Sequence, residues 1–295
     1  MSEQPLIFNR MLVRTRRDRA ARRPLDVDFL RVEAAERLAE RLDDVTHTFP
    51  LAALIGNGRG HLHRALTGRA GIEHAVCLDM SEAQAKAAGS LSICADEEWL
   101  PLKEQHFDLI ASSLSLHWVN DLPGTLIQIN RALKPDGFFV ANLIGGDTLT
   151  ELRQSLLAAE SAMGSGVAPR VSPFMDVRTA GSLLQRAGFA LPVTDMDRIT
   201  ITYETPFKLL HELRQMGGAN ALMETHKGAL RRDVLMAAMQ HYQENFSNED
   251  GRVRATVDLI TMTGWAPHES QPKPLRPGSA TMRLADALNT TEEKL

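Results

Sequence analysis

The stretch Leu51-Ala52-Ala53-Leu54-Ile55-Gly56-Asn57-Gly58-Arg59-Gly60 limits what this chain can fold into more than any other. Its apolar half is unbroken and runs into glycines at alternate positions. A short apolar run closed by glycine reads as a strand buried on both faces. The next residues, His61 to Leu66, put Leu62 and Leu66 on one helical face. Strand, glycine turn and helix form the opening unit of a doubly wound α/β domain. Glycine at such a turn lets the backbone approach a ligand where a Cβ would clash.

The dinucleotide fingerprint requires glycine at the first, third and sixth positions, and the sixth here is His61. A second apolar run, Ala75 to Leu78, ends at Asp79. An acid at the second strand tip, about 20 residues past the loop, is placed to accept hydrogen bonds from both ribose hydroxyls. It would also repel a 2′-phosphate. The alternative is that Asp79 caps the following helix, a task Ser81 could perform equally well.

With 295 residues the chain is long enough for one large domain with an appended lid. A net charge of −4 gives no global attraction to nucleic acid. No apolar run reaches bilayer length, so no integral membrane segment is expected, and the N-terminus lacks the apolar core of a secretory signal. The two cysteines, Cys77 and Cys94, fall in expected buried strands. They suit a reducing compartment, and no metal-binding spacing is present.

In chain order, residues 5–23 carry Arg10, Arg14, Arg16, Arg17, Arg19, Arg22 and Arg23 against Asp18. This segment reads as a solvated helical face, a docking surface, or an arm closing over a ligand. Phe29, Val32, Ala35, Leu38 and Leu42 space out as one apolar helix face. Further strands are expected at 91–95, 107–112 and 138–144. The last two, at 199–203 and 252–263, alternate. Helices are expected at 81–89, 122–133, 149–162, 177–187, 206–216 and 226–245. Lys134-Pro135-Asp136-Gly137 is a turn in which glycine supplies the positive φ. Asp147 is the expected N-cap of the 149–162 helix.

Asp96 comes first off the third strand, where an acid can accept the exocyclic amine of an adenine; Glu97 and Glu98 could equally be a solvated charge run. His117 and Trp118 follow the fourth strand, so they are expected to face the reacting centre, His117 as a candidate base, or else to form a helix entry with a packed Trp.

These residues together resemble class I S-adenosylmethionine (SAM)-dependent methyltransferases: Gly56-Asn57-Gly58-Arg59-Gly60, Asp79, Asp96-Glu97-Glu98, Ser112 to Leu122, and Lys134 to Gly137. More narrowly, 95–101, 112–122, 145–149 and 268–270 resemble a subfamily acting in the assembly of respiratory complex I, with bacterial relatives. The resemblance implies a seven-stranded Rossmann-like fold with N-terminal helices and a helical lid insertion. It implies SAM held by Gly56, Gly58, Gly60, Asp79, Asp96, Glu97 and Ser112, with His117 at the acceptor. It further implies a protein substrate, a complex I subunit, modified by methyl transfer or arginine hydroxylation, in bacterial cytoplasm or mitochondrial matrix. The expected division is an N-terminal arm at 1–48, a methyltransferase-like domain at 49–265 with its lid at about 206–250, and a tail at 266–295. One departure stands out: the family's acid two residues before the first glycine is Leu54 here. A carrier-protein or small-molecule O-methyltransferase and a non-catalytic assembly chaperone are the alternatives.

Overall fold

The structure is a computed structural model that describes residues 6–89, 91–164, 168–224 and 230–272. Two helices, α1 (Arg10–Ala20) and α2 (Phe29–Asp43), precede the sheet. Then β1 (Leu51–Ile55), α3 (His61–Leu66), β2 (His74–Asp79), α4 (Glu82–Ala87), β3 (Ser92–Cys94) and β4 (Phe107–Ser113) alternate. They are followed by α5 (Leu122–Ala132), β5 (Leu133–Gly145), α6 (Thr150–Ala162), α7 (Val177–Arg186), β6 (Ala190–Tyr203), α8 (Pro206–Gln215), α9 (Arg232–Phe246) and β7 (Val253–Trp265).

The strands form one sheet in the order β3-β2-β1-β4-β5-β7-β6. β1 pairs in parallel with β2 and β4, and β4 with β5. β7 runs antiparallel between β5 and β6. The order reverses at β1, so the C-terminal ends of β1 and β4 flank the crevice in which doubly wound folds bind ligands.

The apolar run of β1 is central because it must be buried on both faces. Ala53 and Ile55 pack in one core layer with Leu78, Ile110 and Phe139. Ala52 and Leu54 pack in the opposite layer with Leu38, Leu62 and Leu66. Leu54 has no exposed surface. A third cluster, centred on the buried Tyr242, joins α6, α8 and α9 to the far end of β7. Glu151 of α6 ties that layer to the sheet, accepting from the Thr256 N–H at 3.1 Å and the Thr256 hydroxyl at 2.5 Å.

Several local expectations are corrected. The buried face of α2 is Ala34, Ala35, Leu38, Ala39 and Leu42, whereas Phe29 and Val32 are exposed. Cys94 is exposed because three-residue β3 is an edge strand; Cys77 is buried as expected. In the 134–137 turn the positive φ belongs to Asp136, at 63°. Gly137 is required instead by close approach, since a Cβ there would lie 2.8 Å from the Lys134 carbonyl oxygen. Asp147 is not an N-cap. Its N–H donates to Asp258 at 2.8 Å and its carboxylate accepts from Arg198 at 3.0 Å, while α6 starts after Leu149.

Strands β5, β6 and β7 are longer than their apolar patterns, because β7 extends the ladder along both neighbours. β7 is buried along nearly its whole length, on both faces. The last long helix begins at Arg232; the residues expected to open it at 226–229, and the tail from 273, lie outside the described residues.

Leu54→Ala removes a fully buried side chain from the central strand and is expected to lower unfolding free energy by about 2–5 kcal/mol. Urea titration at constant m-value checks it.

Candidate functional site

The glycine turn is shaped by its neighbours. Gly56, Gly58 and Gly60 have φ of 69°, 47° and 84°. A Cβ on Gly56 would overlap the Ser115 side chain, and one on Gly60 would lie 2.6 Å from the Ala88 carbonyl oxygen. Arg59 turns away from the crevice and pairs with Asp28, which also contacts His61 Nε2 at 2.7 Å. Burial opposes the charge on Asp28, but His61, Arg31 and Arg59 hold its carboxyl below the usual range. Asn57 is buried: its Oδ1 accepts from the His63 N–H at 2.8 Å, and its Nδ2 has no hydrogen-bond partner among the described residues.

Asp79 and Glu97 meet beside this turn, joined by α1. Ser81 caps α4, so Asp79 is free of that task; its Oδ1 accepts the Ser81 N–H at 2.9 Å. Arg17 is buried and places Nη1 2.5 Å from Glu97 Oε1 and 3.6 Å from Asp79 Oδ1. Its Nη2 donates to Ser115 Oγ at 3.1 Å. Arg10 donates to Asp96 at 2.6 Å, to Glu97, and to the Trp118 carbonyl at 3.0 Å. Of the three consecutive acids, Glu97 is the buried one, at 1% exposure. It is therefore no solvated charge.

Burial would raise the Glu97 carboxyl, but Arg17, Arg10 and Ser115 hold it at about 2. Burial would lower Arg17, yet Glu97 and Asp79 keep it above its ordinary value. Asp79 itself is pushed up, because burial outweighs a guanidinium whose short contact is spent on Glu97.

Composition alone does not distinguish Arg10 and Arg17 from the other five arginines of the segment. The signal is present: Arg10, Val13, Arg17 and Ala20 lie on one helical face, and Val13 and Ala20 are buried. Arg14 and Arg19 are exposed, as a solvated face requires.

Ser112, at the end of β4, is fully buried with its Oγ unpartnered among the described residues. His117 lies on a 3₁₀ turn, Leu116–Trp118, with Nδ1 likewise unpartnered. Burial, and then the cations Arg17 and Arg31, lower His117 to about 3. The ring is therefore neutral near pH 7 and a weak proton acceptor. His117 and Trp118 open onto a cavity of about 500 Å³ that reaches under α8 to Leu235 of α9. Gly56, Asp79, Asp96 and His117 are thus arranged along the C-terminal edge of the sheet. Among the described residues no His, Cys, Asp and Glu cluster could hold a metal, and no helix is long and apolar enough to cross a membrane.

A methyltransferase-domain family matches residues 54–141. The chain is 42% identical over 288 residues to the mitochondrial arginine-hydroxylase NDUFAF5 of Danio rerio, covering 95% of this chain and 89% of that protein. The chain belongs to the class I SAM-dependent methyltransferase family. The Homo sapiens NDUFAF5 protein is 43% identical over 287 residues, covering 95% of this chain and 83% of the relative. A second branch of the family is represented by the malonyl-[acyl-carrier protein] O-methyltransferase of Methylovorus sp. (strain MP688), 34% identical over 282 residues and covering 90% and 92%. Among solved structures, the Bacillus subtilis YcgJ protein overlays with a TM-score of 0.55 at 14% identity, covering 80% of this chain and 99% of its own. A putative methyltransferase of Bacillus halodurans overlays likewise, with a TM-score of 0.56 at 15% identity, covering 80% of this chain and 100% of its own, and the two overlays show the fold.

Glu97→Gln leaves Arg17 buried beside a neutral partner and is expected to cost about 3–5 kcal/mol of stability. Because the folded pKa of Glu97 lies below its unfolded value, its stabilisation is full above about pH 4.5 and lost as pH falls toward 2. Denaturant titrations of both proteins between pH 7 and 2 should draw together as the pH falls through this range. His117 should show neutral imidazole NMR shifts from pH 8 down to pH 5.

Proposed function

We propose that the chain is a SAM-dependent enzyme that modifies a protein side chain during assembly of respiratory complex I. The observation that carries this reading is the identity of about two residues in five with NDUFAF5 proteins over 95% of the chain. That length extends well beyond the methyltransferase-domain match at 54–141, into the helices that would meet a substrate. The free cysteines fit a reducing compartment, the bacterial cytoplasm or the mitochondrial matrix.

The residues present fit the cofactor. The turn at Gly56, Gly58 and Gly60 is a cradle that a Cβ at Gly56 or Gly60 would fill. Within it, Asn57 Nδ2 is a buried donor in want of an acceptor. Asp79 would take the ribose hydroxyls and Asp96 the adenine amine. Glu97 is committed to Arg10, Arg17 and Ser115, and would shape the adenosine site by holding α1 across it. Ser112 lies beneath the turn, paired in register with Ile55. When bound, SAM supplies an electrophilic methyl group. The chain then contributes alignment and exclusion of water more than proton transfer, since His117 is a weak base. The replacement of the family's strand acid by Leu54 leaves the amino group of SAM without that partner.

Calorimetric titration with SAM tests the reading. Micromolar binding is expected, weakened about ten-fold or more in Asp79→Ala through loss of the ribose hydrogen bonds. Absence of binding by the unaltered protein would overturn the cofactor assignment and leave the chaperone reading.

A further inference from the structure

Helix α1 is fastened on two faces, and the two fastenings lie one residue apart. One face meets the acids expected to hold a nucleoside. Arg10 donates to Asp96 at 2.6 Å, and Arg17 Nη1 lies 3.6 Å from Asp79 Oδ1. The Ser81 hydroxyl donates to Asp18 at 2.5 Å and the Gln84 amide to the Arg17 carbonyl at 3.2 Å, so α1 is also tied to the start of α4. The ribose hydroxyls and the adenine amine are donors, and they need carboxylates that α1 already engages.

The other face meets the rim of the cavity. Met216 to Asn220, the segment after α8, line that cavity. Arg16 donates to the Ala219 carbonyl at 2.6 Å and to the Asn220 carbonyl. A Cβ on Gly217 would stand 3.4 Å from Ala20 Cβ, so helix and rim are in contact. The residues before α1 continue the attachment. The Asn9 N–H donates to the Ala221 carbonyl and the Met223 N–H to the Ile7 carbonyl, each at 2.8 Å, with Phe8 opposite Leu222. Helix α1 cannot withdraw Arg17 from the crevice and keep the bonds of the adjacent Arg16, which fail beyond about 3.5 Å.

We propose that α1 is a strap over both sites: a nucleoside reaches Asp79 and Asp96 when α1 lifts, and the same movement frees the rim of the cavity. The proposal rests on the SAM reading above for the identity of the nucleoside. It adds to that reading an order of events, in which the cavity loosens as the cofactor enters and tightens once α1 settles back. A helix that carries both fastenings is a two-state element that either site can bias.

Three measurements on the full chain decide it. Uptake of SAM is followed by tryptophan fluorescence, Trp118 being in the cavity wall. Its rate should level off at high SAM, at the rate of α1 release. Arg16→Met removes the rim bonds and leaves the acid face untouched. It should raise that limit about ten-fold, the effect of losing a charge-assisted hydrogen bond. Ala20→Cys combined with Gly217→Cys sets two thiols near the Cβ spacing of a disulfide, about 3.8 Å. The oxidised form should take up SAM about ten-fold or more slower than the same protein reduced. Arg17→Met releases the acid face and needs no cofactor: amide exchange at Met223 should quicken about ten-fold or more while the amides of β1 keep their protection. A SAM rate that climbs without limit and is unchanged by Arg16→Met would overturn the proposal. So would equal uptake by the oxidised and reduced forms, or a protected Met223 in Arg17→Met with β1 intact. Absence of SAM binding together with a quickened Met223 would overturn the cofactor reading and uphold the strap, so the two failures are distinguishable.

Discussion

The pairing of Arg17 with Glu97 is the interaction on which the C-terminal edge of the sheet depends. Two charges withdrawn from water are costly, and only close geometry with further hydrogen bonds offsets that cost. Glu97 has both: Arg17 and Arg10 from one helix, and the Ser115 hydroxyl from the segment after β4. A single carboxylate therefore fastens α1, the loop after β3 and the loop after β4 to one another. The remaining electrostatics follow from it. Because Arg17 spends its short contact on Glu97, Asp79 is left with weak compensation, Arg31 is held only by the charges of Asp28 and Asp79 without a hydrogen bond to either, and His117 stays neutral because it is buried and lies beside two cations.

The expectations that held were those resting on strong local signals. The run Leu51 to Ile55 with its glycines located β1 and the turn without error, because a doubly buried strand leaves no other use for such a segment. Ser81 caps α4, the task that the sequence offered to it or to Asp79. What was illegible depended on partners distant in sequence. Nothing near Glu97 shows that it meets arginines 80 and 87 residues away. Nothing near Asp147 shows that Asp258, 111 residues on, takes its backbone N–H in place of a helix cap. The exposure of Cys94 depends on β3 having a neighbour on one side only, a property of strand order and not of the strand.

The relatives separate what the family shares from what surrounds it. The methyltransferase-domain match spans β1 to β5, the half of the sheet that carries the glycine turn, Asp79, Asp96 and His117. The elements outside it contribute Arg10, Arg17, Arg31 and the apolar wall of the cavity. Around Glu97 the matched segment presents the acids Asp79, Asp96 and Glu97, and the surrounding elements bring the cations Arg10 and Arg17; at the glycine turn the roles reverse, with Arg59 meeting Asp28. The site is an interface between the two, and its charge balance exists only when both are in place.

The antiparallel placement of β7 also has a kinetic side. β6 is made before β7 and pairs with no other strand. Until residues 253–265 emerge from the ribosome, β5 presents an open edge and β6, half-buried on one face and exposed on the other, has no sheet to join. The parallel half, β1 to β5, can assemble during synthesis from contacts closer in sequence, whereas the far third of the sheet must wait for one late insertion between two waiting strands. Chain arrest or truncation before Val253 would therefore yield a collapsed half-sheet with an adhesive edge, the type of species that chaperones engage.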